Sequence, residues 1–276
     1  MKSLCLLGAI RISQLAMIFA VAVIATSCTT APTVSDNART RLAPSGKLRL
    51  GLIGNPVLVT REASGELRGL AVDVGRAFAK ELGVGFEPIL YPTVAKLLEE
   101  GKSGGWDVTF LTPDPARAAD TDFVAPLVDV EVTYLVSSNS PVQSVSGADQ
   151  PGVRISVIQR SAPDLFLSRS LKHAEVVRAP GGPTAAFELL ASGKAHAFAE
   201  NRHMLLNLSE KLPGSRVLEG RIFVQQIALA VPKGRSSGLQ FGQALTQRAK
   251  DQGIVQQAIS RAGLRGVTVA PAASVN

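Results

Sequence analysis

The sequence predicts an α/β protein of two lobes joined by two crossing strands. Three observations carry this reading. Strand and helix patterns alternate over residues 47–111, and the same β-α-β order returns over residues 152–218. Two extended apolar segments, 130–137 and 223–232, bracket the second series. Two helix patterns follow the later segment, so the chain leaves one lobe and returns to it. Such crossovers between compact lobes form a hinge.

Each element has its own signal. In KLRLGLI (47–53), Leu48, Leu50 and Leu52 alternate as in a half-buried strand. Gly54-Asn55-Pro56 is a loop and Ser64-Gly65-Glu66 a turn. Asp73 is the expected N-cap of a helix in which Val74, Ala77, Phe78 and Leu82 repeat and Gly83 is the stop. A strand over 86–90, a helix over 94–100 ended by Gly101 and a strand over 107–111 complete the first series. In the second, Val153, Ile155 and Val157 alternate as a strand. Helices over 162–171, 184–192 and 201–211 then alternate with strands over 175–178, 195–199 and 216–218. The last helices, over 236–252 and 254–262, each show one apolar face (Phe241, Leu245 and Ala249; Val255, Ala258 and Ile259). These signals set lobe one at 47–130 plus 225–265, lobe two at 138–222, and a C-terminal tail at 266–276.

The N-terminus reads as an address. Lys2 and Arg11 precede the apolar run LAMIFAVAVI (15–24), which is too short to span a bilayer and suits the core of a secretory signal. Residues 1–27 are therefore expected to be removed. Small residues before Cys28 resemble a lipobox, in which Cys28 would be cleaved at its N-side and acylated, although Ala25 stands where leucine is usual. Ala25-x-Ser27 also suits ordinary signal peptidase cleavage before Cys28. Residues 28–46, polar and proline-punctuated, read as a flexible tether.

Composition narrows the function. Of 276 residues, 46% are hydrophobic and 18% charged, enough to bury a core. Aromatics are 5%, with Trp106 the one tryptophan, which argues against base-stacking on single-stranded nucleic acid. The net charge of +7 comes without a basic run, so no nucleic-acid partner is expected. Two cysteines, Cys5 and Cys28, exclude a disulfide framework. Gly101-Lys102-Ser103 lacks the glycine that a phosphate loop needs at position 96, which is Lys96. No GxGxxG occurs. His196, Glu200 and His203 would share a face only on a helix, and 195–199 reads as a strand, so neither metal nor cofactor is expected.

Several segments, in order, resemble the bacterial extracellular solute-binding proteins of family 3: KLRLGLIGNP (47–56), GELRGLAVDVGRAFAKELG (65–83), YPTVAKLLEEGKSGGWDVTFL (91–111), RAADTDFVAPL (117–127) and PVQSVSGADQPGVRISVIQRSAPD (141–164). The resemblance runs over about 47–265. It implies a bilobal periplasmic-binding-protein fold of type II, a small solute held between the lobes, and delivery to an ABC importer permease. It implies a non-enzymatic, monomeric protein in the periplasm or at the extracytoplasmic membrane surface, touching the membrane only through a lipid on Cys28. It places a carboxylate-gripping arginine on Arg117, by guanidinium–carboxylate pairing, with Thr112 beside it. It places Ser161 at a helix N-terminus that suits an anion. Asn55 falls in the loop after the first strand.

The sequence also departs from that pattern. No Phe or Tyr follows Asn55 over residues 56–60. Asn201 stands where the family commonly has an aspartate for the ligand's amino group, with Glu200 beside it. Arg160 stands where glycine is frequent, and Asp114-Pro115-Ala116 precedes Arg117. Arg117 and Arg160 together favour a carboxylate-bearing or anionic solute. Two other classes stay open: an enzyme like the cyclohexadienyl dehydratases, with Glu200 as its acid, and a sensor that signals through a membrane receptor.

Overall fold

The computed structural model describes residues 36–235 and 238–271. The signal segment and Cys28 lie outside the described residues. The chain runs through α1 (Asp36–Leu42), β1 (Lys47–Ile53), β2 (Thr60–Arg61), β3 (Leu67–Arg68), α2 (Leu70–Leu82), β4 (Gly85–Tyr91), α3 (Val94–Lys102), β5 (Val108–Leu111) and a 3₁₀ turn (Arg117–Ala119). The long strand β6 (Thr121–Val136) follows. Then come β7 (Arg154–Ile158), α4 (Ala162–Ser170), β8 (Glu175–Ala179), α5 (Gly182–Ala191), β9 (Ala197–Asn201), α6 (Arg202–Ser209) and β10 (Arg216–Val217). The chain closes with β11 (Phe223–Pro232), α7 (Leu239–Asp251), α8 (Ile254–Arg261) and β12 (Val267–Val269).

The strands lie in the order β4-β1-β5-β11-β6-β9-β7-β8, with β10 and β12 also paired to β6. Hydrogen bonding therefore runs unbroken from one half to the other, through β11 and β6. Two cleanly separate sheets, as the inserted-lobe reading suggests, are not formed. The apolar cores do separate. One half packs Leu48, Leu50, Leu52, Phe78 and Phe110 with α2, α7 and α8, and Leu97, Trp106 and Leu111 on its other face. The other half packs Tyr134, Ile155, Val157 and Leu167 on one face, and Leu135, Phe198 and Leu205 on the opposite one. Alternation in β1 and β7 thus does what the pattern implies: successive side chains feed opposite faces.

Four expectations are corrected. Asp73 is not the N-cap of α2. The helix starts at Leu70 after Gly69, because Leu70 and Ala71 are buried, while Asp73 pairs with Arg261 at 3.1 Å from the first turn. Gly101 lies inside α3, which ends at Lys102. The tether contains α1, whose Ala38 and Leu42 join the core. The tail contains β12, where Val267 pairs with Val130 and is buried. Thus β6 carries a third strand at the crossing. Gly83, at φ 67°, ends α2 as expected.

Candidate functional site

Thr112 directly follows β5, and Arg117 opens the 3₁₀ turn. The loop between them is fixed by its own hydrogen bonds. The Ala116 N–H donates to Asp114 Oδ1 at 2.8 Å, and Thr121 Oγ1 donates to the Arg117 carbonyl at 2.8 Å. Arg117 Nη1 donates to the Thr112 carbonyl at 2.9 Å. Among the described residues its Nε and Nη2 have no partner and no carboxylate pairs with it. Burial works against its charge, and Asp114 offsets part of that effect. A half-buried guanidinium with two free donors is ready for a planar, bidentate acceptor.

Sequence reading misses one member of this cluster. Gln225, on β11, donates Nε2 to Thr112 Oγ1 at 2.6 Å. The only available signal is a polar pair, Gln225-Gln226, inside an otherwise apolar strand. On the same face of β11, Phe223 stacks on Phe166 of α4, with ring centroids 4.5 Å apart. An aromatic pair from the crossing strand and the second half therefore exists, although the loop after β1 has none.

In the second half, Glu200 and Asn201 end β9. Glu200 is only 7% exposed. Its Oε1 accepts from the Asn201 N–H at 2.8 Å and from Asn201 Nδ2 at 3.0 Å. Burial pushes its carboxyl up, and these two hydrogen bonds partly counter that. Asn201 Oδ1 accepts from the Met204 N–H at 2.9 Å, so Asn201 is the N-cap of α6. Each of its polar atoms thus makes one hydrogen bond within the protein.

Ser161 caps α4 by accepting from the Asp164 N–H at 3.3 Å. Arg160 is the one non-glycine among the described residues with positive φ, at 61°. Its N–H donates to Asp164 Oδ2 at 2.8 Å, which holds the turn, and its side chain is exposed and unpaired. Asn55 accepts from the Val57 N–H at 3.0 Å and shapes the loop after β1.

The strand register brings the two clusters together. Val130 of β6 lies opposite Gln225, and Val132 lies opposite Asn201. With strands ~4.8 Å apart and residues ~3.4 Å along them, the Cα atoms of Gln225 and Asn201 are about 12 Å apart. A cavity of about 750 Å³ is lined from both halves, by Pro56, Asp73, Arg76 and Arg261 and by His203 and Asn207 of α6, and none of Arg117, Thr112, Gln225, Glu200 and Asn201 lines it. The structure gives no direct contact between Arg117 and Ser161, Arg160 or Glu200.

Residues 48–261 match the family model of bacterial extracellular solute-binding proteins, family 3. The chain belongs to this family. As a member of an extracellular solute-binding family it is an exported protein that binds a small molecule. Among the described residues no helix is long and apolar enough to cross a membrane. Solved structures share its bilobal fold. The solute receptor for L-cysteine of Neisseria gonorrhoeae is 23% identical with a TM-score of 0.65, covering 82% of this chain and 92% of its own. The periplasmic VFT2 domain of Bordetella pertussis BvgS is 19% identical with a TM-score of 0.69, covering 82% and 97%. An ancestral amino acid-binding protein, a precursor of cyclohexadienyl dehydratase, is 21% identical with a TM-score of 0.63, covering 78% and 94%. At these identities the likeness is one of fold. No curated protein sequence matches this solute-binding protein.

Proposed function

We propose that this solute-binding protein captures a small carboxylate-bearing solute, an amino acid or a related compound, between its two halves. Delivery to an ABC importer permease is part of this reading. Residues 47–130 with 225–265 act as one lobe and 138–222 as the other, the crossing strands flexing between them. The observation that carries the reading is Arg117: half-buried, fixed by Thr112, and without an acid partner among the described residues. A buried charge left unpaired is costly, and a ligand carboxylate supplies what the protein does not. Thr112 and Gln225 hold the arginine's loop, and Ser161 and Arg160 offer donors from the opposite half. The protein acts as a monomer, with Cys28 as the site of a lipid anchor.

The test is a thermal-shift screen of the purified protein against amino acids, organic acids and amines. A solute at a hundred times its Kd stabilises by about 2.7 kcal/mol, a readily seen shift in Tm. No shift with any carboxylate-bearing compound would contradict the reading. A second reading, an enzyme on this scaffold, has one observation in its favour: Glu200 is a buried acid whose proton is held more tightly than usual. Turnover of prephenate or arogenate would support it.

A further inference from the structure

We infer that Arg202 is a positioning residue for solute capture: its side chain clasps the three strands at the crossing and so fixes the angle at which the second half meets the first. The inference rests on the solute-binding reading above. Three observations carry it.

The first is convergence. Arg202 opens α6, directly after the cap Asn201. Its Nε donates to Glu131 Oε2 at 2.8 Å, on β6, where the chain passes into the second half. Its Nη1 and Nη2 donate to the carbonyls of Leu218 and Gly220 at 3.3 and 2.5 Å, just before the chain returns as β11. Its stem lies against Gly266, at the entry to β12, where a Cβ would stand 2.7 Å from Arg202 Cβ. One side chain of the second half therefore touches β6 and the approaches to both β11 and β12.

The second is that these segments are also joined to one another beside the arginine. The Glu131 N–H donates to the Gly266 carbonyl at 2.8 Å, which ties β6 to the entry of β12. Thr133 Oγ1 of β6 donates at 3.1 Å to the Leu218 carbonyl that Arg202 also uses. Arg221 adds a longer ion pair to Glu131 at 3.8 Å.

The third is shielding. The Arg202 side chain is 14% exposed, and each of its three guanidinium nitrogens donates within the protein. Charge-assisted hydrogen bonds from a planar fork fix direction as well as distance. Arg202 thus acts by position. On its own half it adjoins Glu200 and Asn201 at the end of β9, and the strands it holds include β11, whose Gln225 fixes the loop of Arg117. With the clasp released, the halves sample more angles and fewer molecules hold the capturing one. Apparent affinity then falls by that fraction, whichever solute is bound.

The experiment separates this role from a merely structural one. Arg202→Met keeps the stem against Gly266 and removes all three donors. Arg202→Lys keeps a charge for Glu131 and loses the fork. The probes are the twenty standard L-amino acids, succinate and citrate, titrated into the purified protein by calorimetry, and the two tightest binders carry the comparison. Arg202→Met should weaken both by the same factor, roughly 10-fold if one molecule in ten keeps the capturing angle. Arg202→Lys should weaken both by less. Small-angle scattering of the unliganded protein should give a larger radius of gyration for Arg202→Met, and a bound probe should restore the native value. If Arg202→Met does not fold, Glu131→Gln should show the same uniform loss and the same expansion. A lower Tm with both Kd values and the scattering unchanged would overturn the inference and leave Arg202 a structural role. Loss of affinity for one probe alone would overturn it too, since that would make Arg202 a solute contact. Binding of no probe by the native protein would contradict the solute-binding reading, and an unchanged radius of gyration in the variant would then overturn the clasp separately.

Discussion

Gln225 donates its Nε2 to Thr112 Oγ1 at 2.6 Å, across a sequence separation of 113 residues. Thr112 in turn accepts Arg117 Nη1 at its carbonyl. The returning crossing strand therefore fixes the loop that presents the arginine. Thr112 follows β5, which itself pairs with β11, so the contact ties this loop to the returning strand.

Replacing Gln225 by Leu should break that link. A side-chain hydrogen bond contributes about 1 kcal/mol, so solute affinity should fall by roughly fivefold. Unfolding by urea should move little, because Gln225 is not in the core. Titration calorimetry and a denaturation curve on the same variant check both halves of this expectation.

Glu200 gives a prediction in pH. Its folded carboxyl binds its proton more tightly than the ordinary value of 4.5 allows, because of burial. Below that value both folded and unfolded chains hold the proton, and the group has no effect. As pH rises above it, the unfolded chain ionises first, so folded stability declines through this window. Glu200→Gln should match the native protein at pH 4 and exceed its stability at pH 7. Urea midpoints across that range test the sign. A Gln variant less stable at every pH would assign Glu200 a purely structural role.

Arg160 occupies a left-handed backbone position at φ 61°. That conformation costs a non-glycine residue roughly 1 kcal/mol. Arg160→Gly should relieve this strain, offset in part by greater chain entropy in the unfolded state. Stability should stay level or rise slightly. If the exposed guanidinium meets the solute, affinity should fall in the same variant, which separates its backbone role from its side-chain role.

The segment after α8 straps the halves together. Arg265 Nη2 donates to Asn207 Oδ1 of α6 at 3.1 Å, and a Cβ at Gly266 would lie 2.7 Å from Arg202 Cβ. Arg202 is itself paired with Glu131 of β6 at 2.8 Å. Gly266→Ala should push this strap away and destabilise the protein by about 1–3 kcal/mol, as overpacking does. Hydrogen exchange should report faster opening of β12 and α6, with the cores of β1 and α2 unaffected.

Much of the fold was legible because the alternation in β1 and β7, the extended apolar run of β11 and the apolar faces of α2, α7 and α8 are strong signals. The first part of β6 was not. Asp122, Pro126 and Asp129 interrupt its pattern, and Pro126 is accommodated where the register with β11 shifts. Helix α1 and strand β12 were hidden by brevity, since each is held by tertiary contacts and not by propensity. At the site, Arg117 and Thr112 share a local motif and could be named together. Gln225 could not, because its role arises from pairing distant strands. That Asn201 caps α6 while Glu200 is buried beside it depends on where β9 stops and α6 begins, and a sequence does not state that.

The most direct test of the account is solute affinity in Arg117→Ala, measured by calorimetry with a carboxylate found in the screen. Losing the bidentate contact should cost about 2–5 kcal/mol of binding, a fall of roughly 30-fold or more, with the unliganded Tm nearly unchanged. Arg117→Lys should recover only part, because an ammonium lacks the planar fork. An unchanged Kd in Arg117→Ala would contradict the account and remove Arg117 from the site.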